Sequence, residues 1–191
     1  MSQMPFTISE AAVSDAQDIA RHVLDEIIRW FGVLLEYNIK NEVGGHLKAC
    51  SPDGTPIGFC GWTVDVNNGQ ADEELELKEE SCIPETADMD AWMSVDAKIE
   101  SQRKQILEGH GNTYCDVYVV VNPIYQGNEI GSSMMQKMCQ QMDRHGQCAY
   151  VQAGPEGDCT YTEFGFKTVG HVETPYGNVV TMFRLSKLQQ S

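Results

Sequence analysis

The sequence predicts a single α/β domain, residues 1–191, built on about seven short strands. Two observations carry that prediction. The first is the stretch from Tyr114 to His145. Val117 to Val121 is a β-branched and aromatic block with the composition of a buried strand. Asn122-Pro123 ends it, because proline has no N–H for the ladder and restricts the residue before it. Gln126 to Gly131 is a polar turn with two glycines, and Met134, Met135, Met138, Cys139 and Met142 then recur at helical spacing. Gly146 is placed to close that helix in a left-handed cap. The second observation is that short strand-like runs, separated by turn signals, flank this unit on both sides.

Taken in order, Pro5 to Ser9 reads as the first strand, with Phe6 and Ile8 on one side. Ser14 and Gln17 have capping-box spacing, and a helix follows to about Tyr37 with Ile19, Val23, Ile27, Trp30 or Phe31, and Leu34 on one face. His46 to Cys50 and Pro56 to Val66 are strands joined through Ser51-Pro52-Asp53-Gly54, a strong turn. Gly58 and Gly61 allow another backbone or a ligand to come close. Asp72, Glu73, Glu74, Glu76, Glu79 and Glu80 form an acidic run, read either as a solvated loop or as a lip that draws in an amine. Met89, Trp92, Val95, Ile99 and Ile106 share a face of a helix from about Asp88 to Leu107. After the central unit come a strand at Ala149 to Ala153, a loop at Gly154 to Gly157, and a short helix from Asp158, its expected cap, to Phe164. Phe166 to Val172 and Val179 to Leu185 pair as strands about Pro175-Tyr176-Gly177-Asn178.

A strand, a glycine turn and a helix N-terminus aim backbone N–H groups and a positive helix end at one place, which suits a phosphate. The order Val119-Val120-Val121-Asn122-Pro123, then Gln126-Gly127-Asn128-Glu129-Ile130-Gly131, resembles the acyl-CoA signature of the GCN5-related N-acetyltransferase (GNAT) superfamily. Ile57-Gly58-Phe59-Cys60-Gly61-Trp62 is similar to the segment that follows the hairpin turn in that family. Gln152 to Gly157 with Tyr161-Thr162-Glu163-Phe164-Gly165-Phe166 resembles its second conserved region, with Tyr161 at the family's tyrosine. No motif covers 67–113. The resemblance implies a GNAT-like, mixed and mostly antiparallel sheet with helices on both faces. It also implies a V-shaped splay between the central strand and the next.

What the resemblance implies about chemistry is direct transfer of an acetyl group from acetyl-CoA to a primary amine. The acyl-pantetheine would lie along Val119, Val120 and Val121, whose main chain would polarise the thioester carbonyl. The pyrophosphate would rest on the N–H groups of Gln126, Gly127, Asn128, Glu129, Ile130 and Gly131, and on the helix N-terminus at Ser132. Glu129 stands where the family has its first glycine. Its carboxylate repels a pyrophosphate, and a side chain there opposes a positive φ, so the expectation is a solvent-facing side chain and weakened but retained binding. Tyr161 is the expected catalytic acid at the departing sulfur. For the base, Asp116 is a candidate on the central strand where some relatives carry a glutamate; His171, Glu173 and a water relay stay open beside it.

Composition narrows the partners. A formal net charge of −15 disfavours nucleic acid and anionic membrane, both of which reward clustered Lys and Arg, and favours a cationic amine. No apolar run reaches the roughly 18 residues of a membrane span, and Met1 to Glu10 has no secretory pattern. Seven cysteines without a Cys-x-x-Cys pair read as reduced thiols in a cytoplasmic protein, with no metal expected. The acceptor is expected to be a small molecule, and the chain a monomer or homodimer. A protein or peptide amine, or a CoA-binding domain without turnover, is the alternative.

Overall fold

The computed structural model describes residues 4–23, 28–64, 89–107, 114–154, 158–174 and 177–187. Its strands are β1 (Thr7–Glu10), β2 (Gly45–Cys50), β3 (Pro56–Val64), β4 (Tyr114–Val121), β5 (Cys148–Ala153), β6 (Lys167–Thr174) and β7 (Gly177–Arg184). The helices are α1 (Ala16–Val23), α2 (Ile28–Lys40), α3 (Met89–Leu107), α4 (Ile130–His145) and α5 (Asp158–Glu163). The strands form one seven-stranded sheet in the order β1-β2-β3-β4-β5-β7-β6. β4 and β5 run parallel, paired from Tyr114 with Cys148 to Asp116 with Tyr150, while the β1–β2, β2–β3, β5–β7 and β6–β7 pairs are antiparallel. The acidic run at 72–80 lies outside the described residues.

The chain divides into two compact units. One holds the described residues of Met1–Thr63 and Tyr118–Gln140; the other holds those of Pro84–Val117 and Gln141–Ser191. In the first, alternate residues of β3 serve opposite faces, as the pleat requires. Phe59 packs with Ala16, Ile19 and Leu35 of α1 and α2, and with Tyr118 and Val120 of β4. Gly58 and Cys60 face α4: a Cβ on Gly58 would lie 3.0 Å from both Ile130 Cγ2 and Met134 Cε, and the Cys60 thiol sits 3.4 Å from the Met138 sulfur. Met134, Met135 and Met138 are fully buried, so the methionine stripe is core. Helices therefore cover both faces of this part of the sheet.

In the second unit, Ile106 of α3 packs against Cys148, Tyr150 and Phe183. α3 is pinned further by Gln102, which accepts from the Thr181 hydroxyl at 2.5 Å and donates to the His171 carbonyl at 3.2 Å. α4 ends as expected: Gly146 has φ 67°, its N–H reaches the Asp143 carbonyl at 3.2 Å, and Gln147 N–H reaches that of Met142 at 3.0 Å.

Three local expectations are corrected. The Ser14–Gln17 box does not form; Val13–Asp15 is a single 3₁₀ turn, and Asp15 accepts from the Ala12 N–H at 2.7 Å. The cap shifts two residues toward the N-terminus, to Ala12 with Asp15 three residues on, and Lys48 at 2.6 Å fixes the Asp15 carboxylate there. The second helical segment runs past Tyr37 to Lys40, with Glu42 in the left-handed region (φ 54°) beyond it. The last hairpin is tighter than the four-residue turn expected: Thr174 pairs directly with Gly177, leaving Pro175 and Tyr176 between them.

Candidate functional site

One candidate element is the turn between β4 and α4. Val119, Val120 and Val121 are half-buried on β4. β4 is held to β3 at its end, where the Asn122 N–H donates to the Ile57 carbonyl at 3.0 Å. Pro123–Tyr125 is a 3₁₀ turn whose entry is capped by Asn122, its side-chain oxygen accepting from the Ile124 N–H at 3.0 Å. Side-chain amides then brace the turn from within. Gln126 donates to the Val121 carbonyl at 3.2 Å, and Asn128 donates to the carbonyls of Tyr125 at 3.0 Å and Gln126 at 3.3 Å.

The Gln126 and Asn128 amides thus occupy carbonyls of the turn. Gly127 has φ 78° with open space where a Cβ would be, so it is there for its backbone angle. Glu129 has φ 60° with an exposed side chain. The missing glycine therefore does not forbid the positive angle: Glu129 adopts it. The first intrahelical bond of α4 runs from Ser133 N–H to the Glu129 carbonyl at 2.9 Å, so the N–H groups of Ile130, Gly131 and Ser132 have no intrahelical acceptor. Val121 lies under this helix start, 3.6 Å from the Cβ position of Gly131. Residues 122–133 contain no lysine or arginine, so a pyrophosphate in this cradle would be held by main-chain N–H groups and the helix end alone.

A separate candidate element is the turn that carries Tyr161. α5 is short, and Tyr161 is buried on it with its ring edge-on to Phe166 at 5.5 Å. Its carbonyl accepts from both Phe164 N–H at 3.0 Å and Phe166 N–H at 3.2 Å, around Gly165 at φ 86°. Phe164 is tied in turn to Arg184 of β7, whose Nε donates to the Phe164 carbonyl at 2.9 Å. One terminal nitrogen of Arg184 donates to both oxygens of Asp143, at 2.8 Å each. Burial pushes the Asp143 carboxyl up, but the Arg184 hydrogen bonds, the Lys187 N–H and both cations outweigh it and hold it below the usual carboxylate value.

A β4–turn–α4 phosphate cradle, a mixed sheet in this strand order and a tyrosine helix before the closing hairpin can be compared with known proteins. No protein-family model matches the sequence, and none of the curated proteins does either. Solved structures do match. A phosphinothricin acetyltransferase of the GNAT superfamily from Sinorhizobium meliloti, in complex with acetyl-CoA, superposes with a TM-score of 0.61 at 13% identity, covering 96% of this chain and 90% of that one. The ribosomal-protein-S18-alanine N-acetyltransferase of Escherichia coli gives 0.58 at 12% identity, covering 95% of each chain. The PaiA N-acetyltransferase of Thermoplasma acidophilum, in complex with coenzyme A, gives 0.56 at 14%, covering 95% of this chain and 99% of that one. The chain has the GNAT fold.

Within this GNAT fold the remaining expected residues are less informative. Asp116 lies on β4 in register with Tyr150. His171 and Glu173 are exposed on one face of β6, the terminal strand of the sheet, with buried Val172 between them on the other face. Among the described residues no group of His, Cys, Asp or Glu is placed to hold a metal ion, and no helix is long and apolar enough to cross a membrane. Sequence reasoning missed Arg184 and Asp143. A lone arginine after Met182-Phe183 gives no sign of pointing inward; the single clue was a charge at the end of an otherwise apolar strand. It also missed the bracing amides of Asn122 and Asn128, although Asn in turns commonly plays that part.

Proposed function

We propose that the protein is an N-acetyltransferase that moves an acetyl group from acetyl-CoA to the primary amine of a small cationic molecule. The observation that carries this reading is the turn from Gln126 to Ser132. It keeps a left-handed backbone at Glu129 (φ 60°), where no glycine relieves it, and strain of that kind is retained where a ligand uses it. The likeness to GNAT structures supports the same reading by analogy of fold.

In this reading acetyl-CoA supplies the activated acetyl thioester. The N–H groups from Gln126 to Ser132 hold its pyrophosphate, and the main chain of Val119–Val121 aligns its pantetheine arm. Tyr161 holds a proton at its phenol oxygen for the departing sulfur. Asp116, or a water relay, takes the proton from the acceptor ammonium. The acidic balance of the chain, −15, favours a cationic acceptor over nucleic acid or anionic membrane. Cys50, Cys60, Cys139 and Cys148 are buried free thiols, which supports a cytoplasmic setting.

The test is release of CoA thiol from acetyl-CoA across polyamines, aminoglycosides, arylamines and basic peptides, with Tyr161→Phe beside the wild type. The expected outcome is turnover on a small amine that falls about tenfold or more in the variant, with CoA binding by calorimetry nearly unchanged. Turnover only on peptides would move the acceptor to a protein amine. CoA binding without turnover on any amine would replace the enzyme with a binding domain.

A further inference from the structure

We propose that Arg184, fixed by Asp143, is a positioning residue for Tyr161; this rests on the proposed function. The argument begins with burial. Arg184 is 4% exposed, and one of its terminal nitrogens, Nη1, is buried with no hydrogen-bond partner. A strand end that only needed packing would be served by an apolar side chain without that desolvation cost. What the guanidinium adds is a rigid link between three elements. Asp143 in the last turn of α4 orients its plane through two contacts at 2.8 Å, and the plane delivers Nε to the Phe164 carbonyl at 2.9 Å. Phe164 N–H is bonded to the Tyr161 carbonyl, one helical turn away.

The exit turn of α5 thus hangs from a side chain on β7. α5 spans only six residues, too few to hold its own geometry. The direction of the Tyr161 phenol therefore depends on that link. A lysine at 184 could still meet Asp143 but has no fixed second donor for Phe164.

The experiment is a double-mutant cycle on kcat, using the acceptor amine found in the CoA-release panel. Arg184→Lys is expected to lower kcat about tenfold in the wild-type background and less than about twofold in the Tyr161→Phe background, because the group it aims is already gone. The affinity for CoA, by calorimetry, stays within about twofold in both. Gly165→Ala strains the same turn at φ 86°, its Cβ reaching Arg184 Nε only at an ordinary 3.9 Å and so leaving both partners of the ion pair in place, and is expected to repeat the pattern if the lysine variant does not fold. Equal losses of kcat in the two backgrounds would overturn the positioning role and leave the acetyltransferase reading intact. No turnover by the wild type on any amine would overturn both.

Discussion

The phosphate cradle and the tyrosine turn are both tight turns beside a helix, yet they are held in opposite ways. The cradle, Asn122 to Ser132, is braced by neutral amides, and the atoms proposed to work there are main-chain N–H groups. The tyrosine turn is braced by a buried guanidinium, and the atom proposed to work there belongs to a side chain. A binder of a fixed anion can spread its grip over many equivalent donors. A proton donor must be one group in one place, and that concentrates the dependence on one support.

The contrast breaks most readily at Asp143. Asp143→Ala leaves Arg184 charged, buried and without its carboxylate, which should cost about 3–5 kcal/mol of stability. Asn128→Ala removes two neutral amide bonds from the cradle, one part-buried and one exposed, and should cost about 1 kcal/mol. Urea unfolding of both variants measures the difference. A cost below about 1 kcal/mol for Asp143→Ala would mean that the tyrosine turn does not hang on the ion pair.

Acid separates the two units next. In the first unit, His46 is buried against Phe59, its Nε2 has no hydrogen-bond partner, and burial holds its pKa down at about 4 against an ordinary 6.5. The unfolded chain therefore binds a proton that the folded one refuses. Stability is complete above pH 6.5 and falls by about 3 kcal/mol as pH drops toward 4. The Asp143 carboxyl in the second unit is shifted down, so its contribution is kept above 3.8 and lost only below that. Stability measured from pH 7.5 to 4 should decline in the wild type and stay flat in His46→Phe. A decline of equal depth in both would assign the acid sensitivity elsewhere.

Most of the frame was legible in the sequence because it rests on period and punctuation. Val117 to Val121, the stop at Pro123, the methionine stripe and Gly146 each state a local preference, and the structure agrees with each. The turn from Asn122 to Gly131 was legible for the same reason, since its shape is set by backbone and its glycines are visible. What the sequence hid were long-range pairings. Arg184 meets Asp143 across 41 residues, and Gln102 meets Thr181 across 79, and neither partner announces the other. Gly170 reads as a weak spot in a strand, yet its missing Cβ is where the Gln102 amide lies, 2.5 Å from that position. The base stayed open for a related reason: nothing in the sequence ranks Asp116, His171 and Glu173 against one another before a substrate faces them.

Glu129 gives the finest test, because it places a side-chain charge in a turn whose proposed grip otherwise relies on main chain. Two effects act there. A left-handed φ costs a non-glycine residue about 1 kcal/mol, and a glycine removes that cost while adding a similar amount of unfolded-chain entropy, so stability should change by less than about 1 kcal/mol. The carboxylate, being exposed, opposes a pyrophosphate by about 1 kcal/mol at low salt. Glu129→Gly should therefore bind CoA about fivefold more tightly at low ionic strength, with the gain shrinking as salt is added. Glu129→Gln separates the two effects, since it keeps the backbone cost and drops the charge. If glutamine gives the same gain as glycine, the charge is the whole of the handicap and the turn was already shaped for its anion. If only glycine gives it, the left-handed angle is a strain that binding has to overcome. No gain from either would mean that the carboxylate does not face the bound phosphate at all.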